Sequence, residues 1–371
     1  MGEWKEYKLG EISNYLNRGV SPSYVESDGY TILNQKCIRN GKIDFLLSKR
    51  TSAQKKYSKE KLLQEGDILI NSTGVGTAGR VAIFMKDVTC YADTHISIVR
   101  IDKDFVHSKF IFYNLFRRED EIENYAEGST GQIELGRDKI KDIDILLPTL
   151  PEQTAIASIL SSLDDKIDLL HRQNATLEKM AETLFRHWFV EEAKEEWDEI
   201  NFGEFVTPKK GKNITKSEVV EGSYPVVAGG LEPSCYHIEA NTKSPVITIS
   251  ASGANAGYIR LYTTPVWSSD SSYIDESITP YVYFCYVFLK INQSKLTDKQ
   301  EGSAQPHIYP SHIMELDFMS YPESIIKVFE ESARPLFNKI KSNQTQIRTL
   351  TALRDTLLPK LMSGEVRVEP D

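Results

Sequence analysis

The chain contains the same pattern twice, and this limits what it can fold into more than any other property. Trp4-x-Glu6-x-x-Leu9-Gly10-Glu11 recurs as Trp197-x-Glu199-x-x-Phe202-Gly203-Glu204, an offset of 193. In each copy a short apolar run enters a Gly/Ser-rich loop and leaves through another, as DILINSTGVGTAGRVAIF (67–84) and PVITISASGANAGYIRLY (245–262). YADTH (91–95) then answers WSSDS (267–271), and EGSTGQIEL (127–135) answers EGSAQPHIY (301–309). LLPTLPEQ (146–153) and DFMSYPES (317–324) close the series, and both lead into long helical patterns. Matching blocks in one order, with slowly drifting offsets, mark an internal duplication. At 371 residues each copy is large enough to bury a core of its own.

Between the loops the segments are short and rich in Val, Ile, Tyr and Thr, which reads as strands of a mixed α+β domain. Residues 108–124 and 279–296 are the expected helices inside each copy. Beyond them, positions spaced 4,3,4,3 read Ile156, Leu160, Leu163, Ile167, Leu170, Asn174, Leu177, Ala181, Leu184, Trp188, a coiled-coil seam of more than four heptads. The second seam reads Phe329, Ala333, Leu336, Ile340, Asn343, Ile347, Leu350, Arg354, Leu357, Leu361. Here Arg354 interrupts the apolar run, and Pro335 predicts a break or a late start. If the two helices pair antiparallel about their seam centres, partner numbers sum to about 517, and Asn174 meets Asn343. Such a buried amide pair penalises other registers.

Net charge is −9, which at first argues against a nucleic-acid partner. Its distribution alters the argument. Residues 1–150 balance to 0, 151–200 carry −7 and 201–371 carry −2. Within the first copy, residues 36–61 hold nine basic groups against Asp44 and Glu60, or +7. That run is either a solvated face or a source of phosphate contacts. The four cysteines are isolated, with no metal spacing, and no apolar run approaches a membrane span. With no signal-peptide core at the N-terminus, a cytoplasmic protein without membrane contact is expected.

Gly74-Val75-Gly76-Thr77-Ala78-Gly79 matches a dinucleotide fingerprint, but RVAIF after it reads as strand, so no helix N-terminus is there to hold a phosphate. A tight hairpin remains, either purely structural or with polar residues that also touch DNA. No metalloprotease helix, nucleophile elbow, deaminase set or N/D-P-P-Y/F tetrapeptide of amino-methyltransferases is present. Asp93 and Asp270 recur in the two copies, as loop caps or, less simply, as a catalytic acid in each half.

At this point the residues resemble a known family, the specificity (S) subunit of type I restriction-modification systems. The segment LLPTLPEQTAIASILSSLDDKIDLLHRQNATLEKMAETLFRHWF (146–189) is similar to its central spacer, and LRDTLLPKLMSGEVRV (353–368) to its distal spacer. EGDILINSTG and the Trp-x-x-x-x-Leu-Gly-Glu openings resemble its target-recognition domains. One departure is YPES in place of LPEQ at the second helix start.

The resemblance implies an α+β protein of two similar mixed α/β target-recognition domains, joined by two long helices in an antiparallel coiled coil with a pseudo-two-fold internal repeat. The expected segments are 1–150 (domain 1), 151–192 (central spacer), 193–322 (domain 2) and 323–371 (distal spacer). It further implies a non-catalytic subunit that reads a bipartite site on double-stranded DNA. Two modification subunits, carrying S-adenosylmethionine, dock on it, and restriction (motor-nuclease) subunits join for cleavage; the chain itself holds no cofactor or metal.

Polar loop residues beside glycine that recur in both copies are the candidate base readers: Asn71, Ser72, Thr73 and Arg80, with Ser250, Ser252 and Asn255. His95, Ser129, Thr130 and Gln132, with Ser269, Ser303, Gln305 and His307, form a second set. Asn, Gln and Arg suit bidentate pairing with adenine or guanine. Lys49, Arg50, Lys55 and Lys56 are the candidate phosphate contacts.

Overall fold

The run Ile68-Leu69-Ile70-Asn71 shows why each copy folds as it does. All four side chains are buried, because alternate residues of a strand point to opposite faces and both faces are covered. Ile68 and Ile70 pack with Phe110 and Ile111 of the helix Ser108–Phe116. Leu69 joins Leu33, Ile38 and Phe84 on the other side. In the second copy Ile247 and Ile249 pack with Phe284 and Phe288, and Val246 with Val227 and Val266.

The computed structural model describes residues 3–128, 133–194, 196–301 and 306–369. Compactness divides the chain otherwise than into the expected linear segments. One unit is Met1–Ile167 with Arg348–Asp371, the other Asp168–Ile347, so each takes in part of both long helices.

In unit 1 an antiparallel sheet runs in the order Ser13–Arg18, Ile96–Ile101, Ile68–Asn71, Val81–Ile83. A smaller sheet runs Cys90–Ala92, Tyr30–Leu33, Lys49–Thr51, Tyr24–Val25, its first pair parallel. Unit 2 repeats this with Lys209–Lys210, Ser271–Asp275, Val246–Ser250, Ile259–Tyr262, and with Cys235–His237, Tyr224–Val227, Trp267–Ser268, whose last pair is parallel. The Trp-x-Glu openings form the same feature in both units: Lys5–Lys8 pairs with Asp144–Leu147, and Glu199–Asn201 with Asp317–Met319. Glu11 accepts from the Lys8 N–H at 2.8 Å, and Glu204 from the Asn201 N–H at 3.0 Å. Each expected internal helix is broken in two, as Ser108–Phe116 and Glu119–Glu123, and as Val282–Ile291 and Gln293–Asp298.

The central helix spans Leu150–Arg186 and the distal helix Glu323–Ser363. No seam position of either is exposed. Within unit 2, Asn343 Nδ2 donates to Asn174 Oδ1 at 2.9 Å, the contact the antiparallel register predicts. Within unit 1, Arg354 does not leave a hole in the seam. Its Nη1 bonds Asp164 Oδ1 at 2.9 Å, and Tyr113 donates to the other oxygen at 2.7 Å. These partners' numbers sum to 518, so both units hold the helices in the same antiparallel register.

The break expected at Pro335 does not occur, and the distal helix also runs through Pro359. Both prolines are exposed, so the carbonyl each leaves unpaired is open to water. Phe329, Ala333 and Phe337 on the opposite face pin this stretch into the core. The central helix ends in a wider turn, His187–Glu191, that brings Phe189 into the same core beside Phe185.

With the YPES departure the distal helix starts two residues later than the central helix does in the aligned segment, at Glu323 against Leu150, and it is docked differently. In unit 1, Gln153 accepts from the His107 N–H at 2.9 Å and donates to Pro148 O at 3.0 Å, tying the central helix to the start of Ser108–Phe116. In unit 2 this falls to Glu330, which accepts from the Phe284 N–H at 2.9 Å. Burial pushes the Glu330 carboxyl up to about 7, against the pull of the Phe284 and Tyr283 N–H groups and of Arg334. The folded chain thus keeps a proton that the unfolded chain gives up above its ordinary 4.5. That contribution is full below this pH and is lost as pH rises through about 7. The thermal midpoint of unit 2 should therefore fall between about pH 5 and about pH 8, and Glu330→Gln should flatten that fall. An equal slope in wild type and variant would refute the assignment.

Candidate nucleic-acid interface

Three loops of unit 1 are knitted by main-chain bonds into one rim. The Ser72 N–H donates to His95 O at 2.8 Å, the Leu135 N–H to Ser72 O at 2.8 Å and the Gly74 N–H to Ile133 O at 3.3 Å. Unit 2 reproduces the set: Ala251 N–H to Asp270 O at 3.1 Å, Ile308 N–H to Ala251 O at 2.9 Å, Gly253 N–H to Pro306 O at 3.0 Å. The glycine loop closes through the same bond in both, Gly79 N–H to Asn71 O and Gly257 N–H to Ser250 O, each 2.8 Å, although the second loop is one residue shorter. Gly79 and Gly257 have φ of +84° and +82°, where glycine is favoured. This is the hairpin expected. Its amides face carboxylates, not a phosphate: Glu123 accepts from the Gly76 N–H at 2.9 Å and Glu119 from the Val81 N–H at 2.6 Å.

The same bonds correct the pairing of Asp93 with Asp270. The Asp93 N–H donates to Leu33 O as the Ser269 N–H does to Val227 O, so Asp93 corresponds to Ser269. Asp270 stands where His95 does, because the second loop is one residue shorter. Asp93 is a loop cap that accepts from the His95 N–H at 2.9 Å.

Several candidate readers turn inward. Asn71 and Ser72 are fully buried, Asn71 donating to Gln35 O at 2.9 Å and Ser72 sharing a hydrogen bond with Ser97 at 2.7 Å. Ser250 and Ser269 are buried as well, and Ser269 Oγ accepts from the Ile214 N–H at 3.3 Å. These four hold the loops together and present no polar atom to a base. Their burial corrects the expectation that they touch DNA.

The rest are distributed along the rim. Thr73 donates to Gln35 Oε1 at 2.9 Å and meets His95 Nδ1 at 2.8 Å, and the His95 side chain is exposed. Arg80 lies along its own loop, bonded to Gly76 O at 2.6 Å. Ser252 donates to the Asp270 carboxylate, Asn255 to Gly229 O at 3.3 Å, and His307 stacks on Tyr309. Ser129, Thr130, Gln132, Ser303 and Gln305 lie outside the described residues. The basic candidates Lys49, Arg50, Lys55 and Lys56 are all exposed. Lys49 lies 4.7 Å over the Tyr24 ring, Arg50 bonds Gly29 O at 3.2 Å and Lys55 bonds Ser21 O at 2.7 Å.

Sequence reasoning missed Gln35, which joins Asn71 and Thr73, and Arg18, which bonds Thr94 O at 3.0 Å and Glu134 at 2.8 Å. It also missed Lys210 and Lys212. A signal existed: Arg18-Gly19-Val20 aligns with Lys210-Gly211-Lys212. Gly19 and Gly211 donate to Ile96 O and Ser271 O, and the next residue of each donates to Ala92 O and Ser268 O.

Comparison with known proteins gives this duplicated rim its setting. The profile of the Type I restriction modification DNA specificity domain matches residues 1–179. A type I restriction enzyme specificity subunit of Methanocaldococcus jannaschii, MjaIX, is 29% identical over 315 residues, covering 72% of this chain and 71% of its own. The chain is similar to the type I specificity subunits. A putative type I specificity subunit of Mycoplasma pneumoniae is 27% identical over 303 residues, covering 77% of this chain and 80% of its own. The fold agrees with the crystal structure of the type I S subunit of M. genitalium, at a TM-score of 0.62 and 21% identity over 96% of both chains. The matched domain and relatives are named for DNA specificity in type I restriction enzymes, a role distinct from catalysis. No helix among the chain's described residues is long and apolar enough to cross a membrane.

Proposed function

We propose that the chain is an S subunit and that each rim reads one half of a bipartite site on double-stranded DNA, with the central and distal helices as the spacer. One observation carries the reading: the main-chain bonds of the two rims are the same, whereas the side chains on them differ. A common frame with different polar groups suits two unlike half-sites, since hydrogen bonds to base edges carry sequence and main-chain geometry does not. Exposed cations around the first rim supply phosphate contacts, so net acidity of the chain does not forbid binding.

Two modification subunits dock on the paired helices and bring S-adenosylmethionine, and restriction subunits join them for cleavage. The assembly works in the cytoplasm. The test is binding of the chain, assembled with its modification subunits, to a randomised duplex library across a salt series. Two separated conserved blocks should be recovered. Lys49→Ala should weaken all sequences alike and lower the salt slope by about 0.9, one phosphate contact. His95→Ala should instead relax preference within one block. A slope unchanged in Lys49→Ala would remove Lys49 from the interface.

A further inference from the structure

Leu46 is 94% exposed, more than any other large apolar side chain among the described residues. It is not on a loose loop. It stands in a one-turn helix, Phe45–Leu47, whose start is capped by Asp44 accepting from the Leu46 N–H at 2.9 Å. Ser48 donates to Phe45 O at 2.6 Å, and Asn34 Nδ2 to Leu47 O at 3.0 Å. Phe45 is held beneath Lys86 and beside Phe84. The turn thus holds an apolar side chain outward on a rigid base.

Its position is as telling. Asn34 precedes Gln35, which bonds Thr73, and Lys49 opens the strand that follows the turn. Because Lys49 pairs with Ile32 near the end of Tyr30–Leu33, the turn lies at the same end of the small sheet as the rim. Unit 2 has a counterpart. After the matching strand, Tyr224–Val227, Leu231 is 49% exposed on a loop bound to the second rim. Asn255 donates to Gly229 O at 3.3 Å, and Arg260 bonds Leu231 O and Glu232.

We propose that Leu46 and Leu231 are wedges that enter the DNA duplex beside each half-site, between adjacent base pairs. The inference rests on the rims facing DNA. Charge and area select the occupant. Beside the first tip stand exposed Lys86, over the Phe45 ring, and Lys49, at the start of the next strand, cations that complement a phosphate backbone. A protein partner would need upwards of about 1,000 Å² of interface, far more than two leucines offer, whereas a wedge needs one side chain.

The test uses the chain assembled with its modification subunits, without S-adenosylmethionine. The duplex carries the site selected from the library, with 2-aminopurine placed at successive steps. Wild type should brighten at one step beside each half-site. Leu46→Ala should abolish the first signal alone and Leu231→Ala the second, each weakening binding at least about tenfold. Leu46→Met should keep the signal. Thermal unfolding of each variant should match wild type, since neither side chain supports a core.

Unchanged fluorescence in both alanine variants overturns the proposal. So does a loss confined to duplexes with thymine at one position and reproduced in wild type by uracil, which would make Leu46 a methyl contact. Weaker assembly of Leu46→Ala with the modification subunits in the absence of DNA would place the tip at a protein interface instead. If wild type recovers no bipartite site, the half-site reading fails and the wedge with it; a recovered site without unstacking sinks the wedge alone.

Discussion

Gly19→Ala should erase one half of the recognised sequence and leave the other intact, and Gly211→Ala should do the reverse. A Cβ on Gly19 would lie 2.1 Å from Ala92 O and 2.3 Å from Asp93 O, and one on Gly211 2.4 Å from Ser269 O and 2.6 Å from Ser268 O. All four obstacles are main-chain atoms, so no rotamer change relieves the clash. The loop that carries Asp93 and His95, or Asp270, must move away from the rim. Overpacking of this kind costs about 1–3 kcal/mol, and here the strain falls on the reading geometry. Library selection with the assembled complex should then return a motif degenerate in one block only. Loss of both blocks together, or of neither, would show that the two rims do not read independently.

Phe329→Ala should be the most damaging single truncation in unit 2. Phe329 is fully buried where the distal helix, the turn His187–Glu191 and the helix Val282–Ile291 converge. Its ring meets Phe185 and Phe189 at 5.6 Å, and Trp188 and Phe284 at 6.0 Å, all edge-on. Large-to-small changes at such sites cost about 3–5 kcal/mol, because aromatic neighbours held by several elements cannot collapse into the space. The unfolding midpoint should fall on the order of 10 °C. Val328→Ala, one residue away but exposed, should shift it little. Comparable shifts in the two variants would show that this cluster does not hold the distal helix.

The long helices were legible in the chain because a seam is a local periodicity. Each side chain there faces the partner by its spacing alone, and one asparagine per seam was enough to set an antiparallel register. Pro335 misled for the opposite reason. Whether a proline breaks a helix depends on what face it occupies, and Phe329, Ala333 and Phe337 oppose it only in the folded unit. The rims were legible as loops, since glycine at positive φ and flanking strands leave their mark in sequence. Which of their polar groups meet solvent was not. Asn71 and Thr73 are two residues apart beside the same glycine, yet one is sealed inside and the other is at the rim.

By itself, then, the sequence determined that there are two copies of one plan, that each leads into a long helix, and that these helices pair with Asn174 against Asn343. Only the tertiary structure decided which rim residues are scaffold and which are offered outward. The reason is that a buried polar group must find a partner, and the partners of Asn71, Ser72 and Ser269 come from Gln35, Ser97 and Ile214, at least 25 residues away along the chain.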